Sequence, residues 1–131
     1  MSFRDITIED YSMLVPFWKE NYFVNEHDSF ERFKLFLEKN PGLSLLAEDN
    51  GNIVGTVLGS YDGRRGYIQK LVVDKAHRRK GLGQELVRRV IKKLQTVGVT
   101  YIPITVEKNL LPFYEKCGFR VTEQIALNIN I

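Results

Sequence analysis

One stretch of this chain constrains its fold more than any other: an apolar run, a basic turn with two glycines, and a long amphipathic repeat. Tyr67-Ile68-Gln69-Lys70-Leu71-Val72-Val73 is rich in β-branched and aromatic residues and free of Gly and Pro, and it reads as a buried strand. Leu82, Leu86, Val87, Val90, Ile91, Leu94 and Val97 then recur at three- and four-residue steps, with Glu85, Arg88, Arg89, Lys92 and Lys93 between them. That spacing predicts one helix with a core-facing stripe and a charged outer face. A strand feeding a helix through Arg78-Arg79-Lys80-Gly81-Leu82-Gly83 requires an α/β layer arrangement. It also exposes the first amides of a helix, and the positive end of its dipole, in a cationic setting built for an anion such as phosphate.

Residue types and spacing narrow that reading. Gly81 and Gly83 lack a Cβ, so a phosphate oxygen can approach their amides, and Arg78, Arg79 and Lys80 bring positive charge beside them. No Gly-Lys-Ser/Thr follows, so the run is not a P-loop, and it lacks the Gly-x-Gly-x-x-Gly of a dinucleotide site. It resembles Arg/Gln-x-x-Gly-x-Gly/Ala, the acetyl-CoA pyrophosphate loop of the GNAT superfamily of N-acetyltransferases. A second stretch, Phe113-Tyr114-Glu115-Lys116-Cys117-Gly118-Phe119, is similar to the last helix of that family with its following Gly-Phe. Leu71-Val72-Val73-Asp74 looks like the family's central strand, and Gly59 to Gly66 is similar to a hairpin of a small bacterial subgroup.

The resemblance implies an α/β sandwich around a mixed sheet of six to seven strands with about four helices, splayed between strands 4 and 5. It implies acetyl-CoA as co-substrate, with no metal, and direct transfer of the acetyl group to a primary amine. The pantetheine arm would pair with the backbone of Leu71 and Val73. The pyrophosphate would rest on the amides of Arg79, Gly81, Gly83 and Gln84, with the side chains of Arg78, Arg79 and Lys80 nearby. Tyr114 would be the general acid that protonates the departing thiolate, and Asn109 would bond the pantetheine. The general base stays open among Glu26, His27, Asp28, Glu107 and a bound water. Gln69 and Lys70 hold the plausible positions on the central strand, and neither is a good base. Two rival readings are a catalytically silent CoA-binding or interaction domain and a small nucleic-acid module using the basic turn.

The rest of the chain is read from local signals. Phe3 to Ile8 alternates as a first strand, and Thr7 with Asp10 forms a capping box for a helix over Tyr11–Tyr22, which Pro16 is expected to kink or divide. A second helix over Ser29–Lys39 puts Phe30, Phe33, Phe36 and Leu37 on one side, and it stops near Asn40-Pro41-Gly42. Leu43–Asp49 and Ile53–Tyr61 are strands joined by Asn50-Gly51, and Asp62-Gly63 turns the chain into the strand Gly66–Val73. Gly98 ends the long helix. Thr100–Val106 is expected to be a fifth strand, Leu110–Lys116 a short helix, and Arg120–Ile129 one or two final strands.

At 131 residues the chain is expected to form one domain. The net charge of +3 is too small to compel a nucleic-acid partner. A lone cysteine, Cys117, excludes an internal disulfide framework, and with no leader-like or membrane-length apolar run the expected location is cytoplasmic. A small-molecule or peptide amine is the expected partner, with the protein a monomer or a homodimer. The apolar tail Ile125–Ile131 would complete the sheet edge internally or pair across a second subunit.

Overall fold

Asn50 and Gly51 both take positive φ, 52° and 78°, as a two-residue hairpin turn matched to strand twist requires. That turn joins β2 (Leu45–Asp49) to β3 (Asn52–Tyr61), and the Asp62-Gly63 turn joins β3 to β4 (Gly66–Val73). With β1 (Ser2–Asp5) these make one antiparallel sheet in the order β1-β2-β3-β4. The computed structural model describes residues 1–131.

Four helices flank the sheet: α1 (Tyr11–Asn21), α2 (Phe30–Lys39), α3 (Leu82–Thr96) and α4 (Leu111–Lys116). The expected capping box forms, and Ser29 caps α2 as well. The Thr7 amide donates to the Asp10 carboxylate at 2.8 Å, and the Ser29 hydroxyl accepts from the Arg32 amide at 3.3 Å. Pro16 lies inside α1 without dividing it. One donor is lost there, but Leu14, Phe17 and Trp18 bury on either side and the helix continues through the gap.

The layers separate chemically. On one face α3 packs Leu82, Leu86, Val90 and Leu94 against Leu45, Ala47, Val57 and Ile68, an almost wholly aliphatic core. On the other, α1 and α2 bring Leu14, Phe17, Trp18 and Phe33 onto Leu46, Leu58 and Val72. The aromatic spacing expected to line one side of α2 therefore divides: Phe33 is core, Phe36 and Leu37 are partly buried, and Phe30 is exposed. No helix is long and apolar enough to cross a membrane.

The sheet has four antiparallel strands, not the mixed six to seven expected. The two missing regions fail for different reasons. Segment 100–106 packs Ile102 and Ile104 on the aliphatic core, yet its backbone makes one hydrogen bond to the sheet, from the Gly66 amide to the Tyr101 carbonyl at 2.9 Å. In an extended chain alternate residues present their N–H and C=O to the same edge. Residue 103 should continue the pairing that Tyr101 begins, and it is a proline with no N–H to give. So the splay beside β4 is a strand parting from a coil segment, not two strands diverging. The final stretch, 120–131, has no backbone hydrogen bond to the rest of the chain, and all of it is exposed.

Candidate active site

The site is organised by a single irregularity in β4. Thr56 faces Val72 and Leu58 faces Gln69, so Lys70 and Leu71 together oppose Val57. This is a β-bulge, and Lys70 takes a φ of 54°, unusual for a side-chain-bearing residue. The carbonyl that the bulge turns out of the ladder is recovered by buried Thr56. Its hydroxyl donates to the Lys70 carbonyl at 3.0 Å and accepts from the Trp18 indole N–H at 3.0 Å.

The bulge also changes the phase of β4. Before it, the Gly66 amide points outward, to Tyr101; after it, the Asp74 amide points inward, to the Val54 carbonyl at 2.9 Å. Val72 shares the inward edge with Asp74, so Leu71 and Val73 present their backbone groups to the open side of the sheet. These are the two residues the sequence assigns to the pantetheine. The Val73 carbonyl is already taken by the Arg78 Nε at 3.0 Å, which leaves its amide.

Arg78 is also bonded through Nη2 to the Asn21 carbonyl at 2.9 Å, while the Asn21 side chain accepts from the Lys75 amide at 3.0 Å. Its guanidinium thus ties the end of α1 to the end of β4 instead of standing free beside the turn. Arg79 and Lys80 remain exposed. His77 braces the same end: the Asp74 carboxylate at 2.8 Å, and then Asp49 at 3.4 Å, raise its pKa above the usual imidazole value.

Beyond that brace the chain leaves a run of backbone donors free at the start of α3. Arg79 and Gly81 both take left-handed dihedrals, φ 64° and 84°, and α3 begins immediately after. The first intrahelical bond runs from the Glu85 amide to the Gly81 carbonyl at 3.0 Å; the amides of Gly81, Leu82, Gly83 and Gln84 have no acceptor in the protein. The two glycines serve different ends. A side chain at Gly81 would meet nothing within 4 Å, so that position asks for glycine by its dihedrals. At Gly83 a Cβ would come within 3.1 Å of the Phe113 ring, so there glycine lets α4 pack on the start of α3. The one nearby carboxylate, Glu85, is held below the ordinary range by Arg88 and then Arg89. An open groove of about 540 Å³ leads from Gly81 and Gln84 along α3 past Arg88 and Lys92 to Lys116.

Tyr114 is 9% exposed and stacks edge-on with Phe113 and Phe119, at 5.0 and 5.8 Å between ring centres. Its hydroxyl has no partner in the protein, and no buried polar side-chain atom goes unpaired, so that oxygen sits at the accessible rim of the residue. Burial, followed by the proximity of Cys117, Tyr22 and Tyr67, pushes its pKa up to about 12. Burial and then the Glu107 charge raise Tyr22 as well. Tyr114 thus feels Tyr22 and Tyr67, and Tyr22 in turn feels Glu107. Asn109 lies exposed on the turn Lys108–Leu110 before α4, and its side chain makes no hydrogen bond. Burial raises the Cys117 thiol, which suits a packing residue rather than a nucleophile.

The four base candidates part company here. Asp28 is engaged by the Lys70 ammonium at 2.9 Å, and both side chains are nearly buried. Glu26 and His27 are largely exposed. Glu107 has no ion-pair partner. The Lys70 ammonium also bonds the Phe23 carbonyl at 3.0 Å and lies 4.5 to 5.7 Å from the ring centres of Trp18, Tyr22 and Phe23. Lys70 thus pins the turn between α1 and α2 onto the bulge, a part that sequence reading missed, as it missed Thr56 and Asn21. A buried lysine flanked by three aromatics is invisible until the fold brings α1 over β4.

Comparison with known proteins bears on the family and the fold. The model of the Acetyltransferase (GNAT) family matches residues 5–119. An acetyltransferase of Pectobacterium atrosepticum is 30% identical over 131 aligned residues, covering 97% of this chain and 93% of that one. Among solved structures, glucosamine-6-phosphate N-acetyltransferase from Arabidopsis thaliana superposes with a TM-score of 0.74 at 22% identity, covering 98% of both chains. An aminoglycoside 6'-N-acetyltransferase from Acinetobacter haemolyticus gives 0.77 at 16% identity over 100% of this chain and 99% of that one. At those identities the structures speak for the fold alone. The chain belongs to the GNAT acetyltransferase family.

Proposed function

We propose that this protein moves the acetyl group of acetyl-CoA to a primary amine by direct transfer, with no acetyl-enzyme. The observation that carries the proposal is the continuity of unused backbone donors. The outward amides of Leu71 and Val73 lead along β4 to the four free amides that open α3. An extended pantetheine adds to the first pair as a strand would. Its pyrophosphate then falls on the second set, where the helix dipole and the Arg79 and Lys80 charges favour it.

In the transfer, the neutral amine nitrogen attacks the thioester carbonyl carbon, and an outward amide of β4 stabilises the resulting oxyanion. The carbon–sulfur bond breaks, and the thiolate takes its proton from the Tyr114 hydroxyl, which water then restores. The proton shed by the amine passes to Glu107 directly or through water, since Asp28 is neutralised by Lys70 and Glu26 and His27 face solvent. Arg78 acts by holding β4 against α1 and not by touching phosphate, and Asn109 is free to bond the pantetheine.

Titration calorimetry with acetyl-CoA tests the first half of this reading. Micromolar binding that disappears in Gly83→Glu supports the seat; absence of binding by the folded wild type would end it. Thiol release across a panel of peptide, polyamine and amino-sugar acceptors tests the second half. A protein that binds the cofactor but acetylates none of them would be a silent CoA-binding domain.

A further inference from the structure

We propose that the C-terminal tail of one copy adds as a strand to segment 100–106 of a second copy, and reciprocally, so that the protein is a strand-exchanged dimer. The tail has the sequence of a half-buried strand. Ile125, Leu127, Ile129 and Ile131 alternate with Ala126, Asn128 and Asn130, without Gly or Pro. Its apolar row has no cover within the chain: Ile125 is 84%, Leu127 92% and Ile129 81% exposed. Phe119 is held by its amide to the Tyr114 carbonyl at 3.0 Å, and beyond it no backbone group of the tail bonds to its own body.

The receiving edge lies in the same molecule and is equally incomplete. Tyr101 and Pro103 turn their backbone toward β4, so Ile102, Ile104 and Val106 turn theirs to the other side. None of those groups has a backbone partner. Beside them runs a groove of about 260 Å³ lined by Ile91, Val99, Ile102 and Phe119. A seven-residue tail and a seven-residue edge span equal lengths, roughly 23 Å each.

A second copy fits better than an unrelated strand, because each chain carries one donor strand and one acceptor edge. Mutual exchange uses both and leaves nothing over, which closes the assembly as a two-fold dimer. Charge permits it, since residues 120–131 hold one arginine and one glutamate and two tails do not repel. Area permits it too. Each aliphatic side chain removes on the order of 100 Å² of apolar surface when covered. Two tails and the surfaces they cover therefore come to roughly 1,600 Å², the size of a stable interface. Left open, an alternating apolar strand of low charge is an aggregation site.

The full chain is tested by light scattering after size exclusion at micromolar concentration, beside Leu127→Glu. We expect a dimer mass that falls to a monomer in the variant, with unchanged helical circular dichroism. Disulfide mapping fixes the partner: in a Cys117→Ser background, Thr105→Cys is combined in turn with cysteine at Asn128, Ile129 or Asn130. A covalent dimer on a non-reducing gel is the expected product. A cross-linked monomer would mean that each tail folds onto its own body, and a dimer without this cross-link would mean another interface. Either result, or a wild type that is monomeric, overturns the proposal.

Discussion

Two regions of this molecule leave backbone groups unused, and they leave them in different geometries. At the start of α3 the amides of Gly81 to Gln84 converge on one point, with a helix dipole behind them and cations beside them. Along 102–106 and the tail the unused groups lie in a line, with apolar side chains alternating between them. Convergent donors suit a compact anion, and linear ones suit another strand. The number of unsatisfied groups says little about a ligand; their arrangement says most of it.

The comparison breaks most sharply at Gly83. A Gly83→Glu change sets a carboxylate among the converging amides and drives its Cβ toward Phe113, so acetyl-CoA affinity should fall at least about 1,000-fold, or 4 kcal/mol. Calorimetry reads the loss, while the mass by light scattering stays as in the wild type if the two regions are independent. Next comes the support behind β4. Thr56→Val leaves the Trp18 N–H and the Lys70 carbonyl buried without partners, which costs about 3 kcal/mol. Urea unfolding should show that loss together with weaker cofactor binding, because the bulge sets which amides face outward.

Tyr114→Phe keeps the stacked ring and removes the proton. The expected outcome is a kcat about 100-fold lower, or 2.7 kcal/mol, with KM for acetyl-CoA nearly unchanged. A variant with full turnover would take Tyr114 out of the general-acid role. The same residue gives a smaller effect on stability. Its folded pKa of about 12 lies above the ordinary phenol value of 10, so between those pH values the unfolded chain releases a proton that the folded chain keeps. Stability is therefore unaffected below pH 10 and falls as pH rises through that window, by about 2 kcal/mol. Thermal melts in Tyr114→Phe should show a shallower decline. The smallest effect sharpens the electrostatic half of the comparison: Arg79→Gln or Lys80→Gln should each weaken acetyl-CoA binding several-fold and flatten its salt dependence, with oligomeric mass unmoved.

Much of this was legible in the residues. Asn50-Gly51 and Asp62-Gly63 placed both hairpins, and the stripe from Leu82 to Leu94 placed α3 and its buried face. The glycine turn announced the free amides at the start of α3 because the features that make it are local. Thr100–Val106 and Arg120–Ile129 are expected as further strands and neither joins the four-stranded sheet, because alternation specifies a strand but not its neighbour. Pro103 was the visible warning, and its force appears only when Tyr101 is seen to face β4. Arg78 was read as a phosphate ligand from its charge, whereas its bonds to Val73 and Asn21 depend on where α1 ends. Lys70, Thr56 and Trp18 form their cluster across long separations in sequence, beyond the reach of any local pattern.

The bulge at Lys70 and Leu71 has a consequence for how this protein tolerates change. Because Leu71 and Val73 would meet the cofactor through backbone, their side chains are free to vary among residues that fill a partly buried strand. The constraint moves to Thr56, which is wholly buried and touches no substrate, since its hydroxyl keeps the extra residue in phase. A map of mutational tolerance should therefore look inverted, permissive along the strand that lines the slot and intolerant one layer behind it.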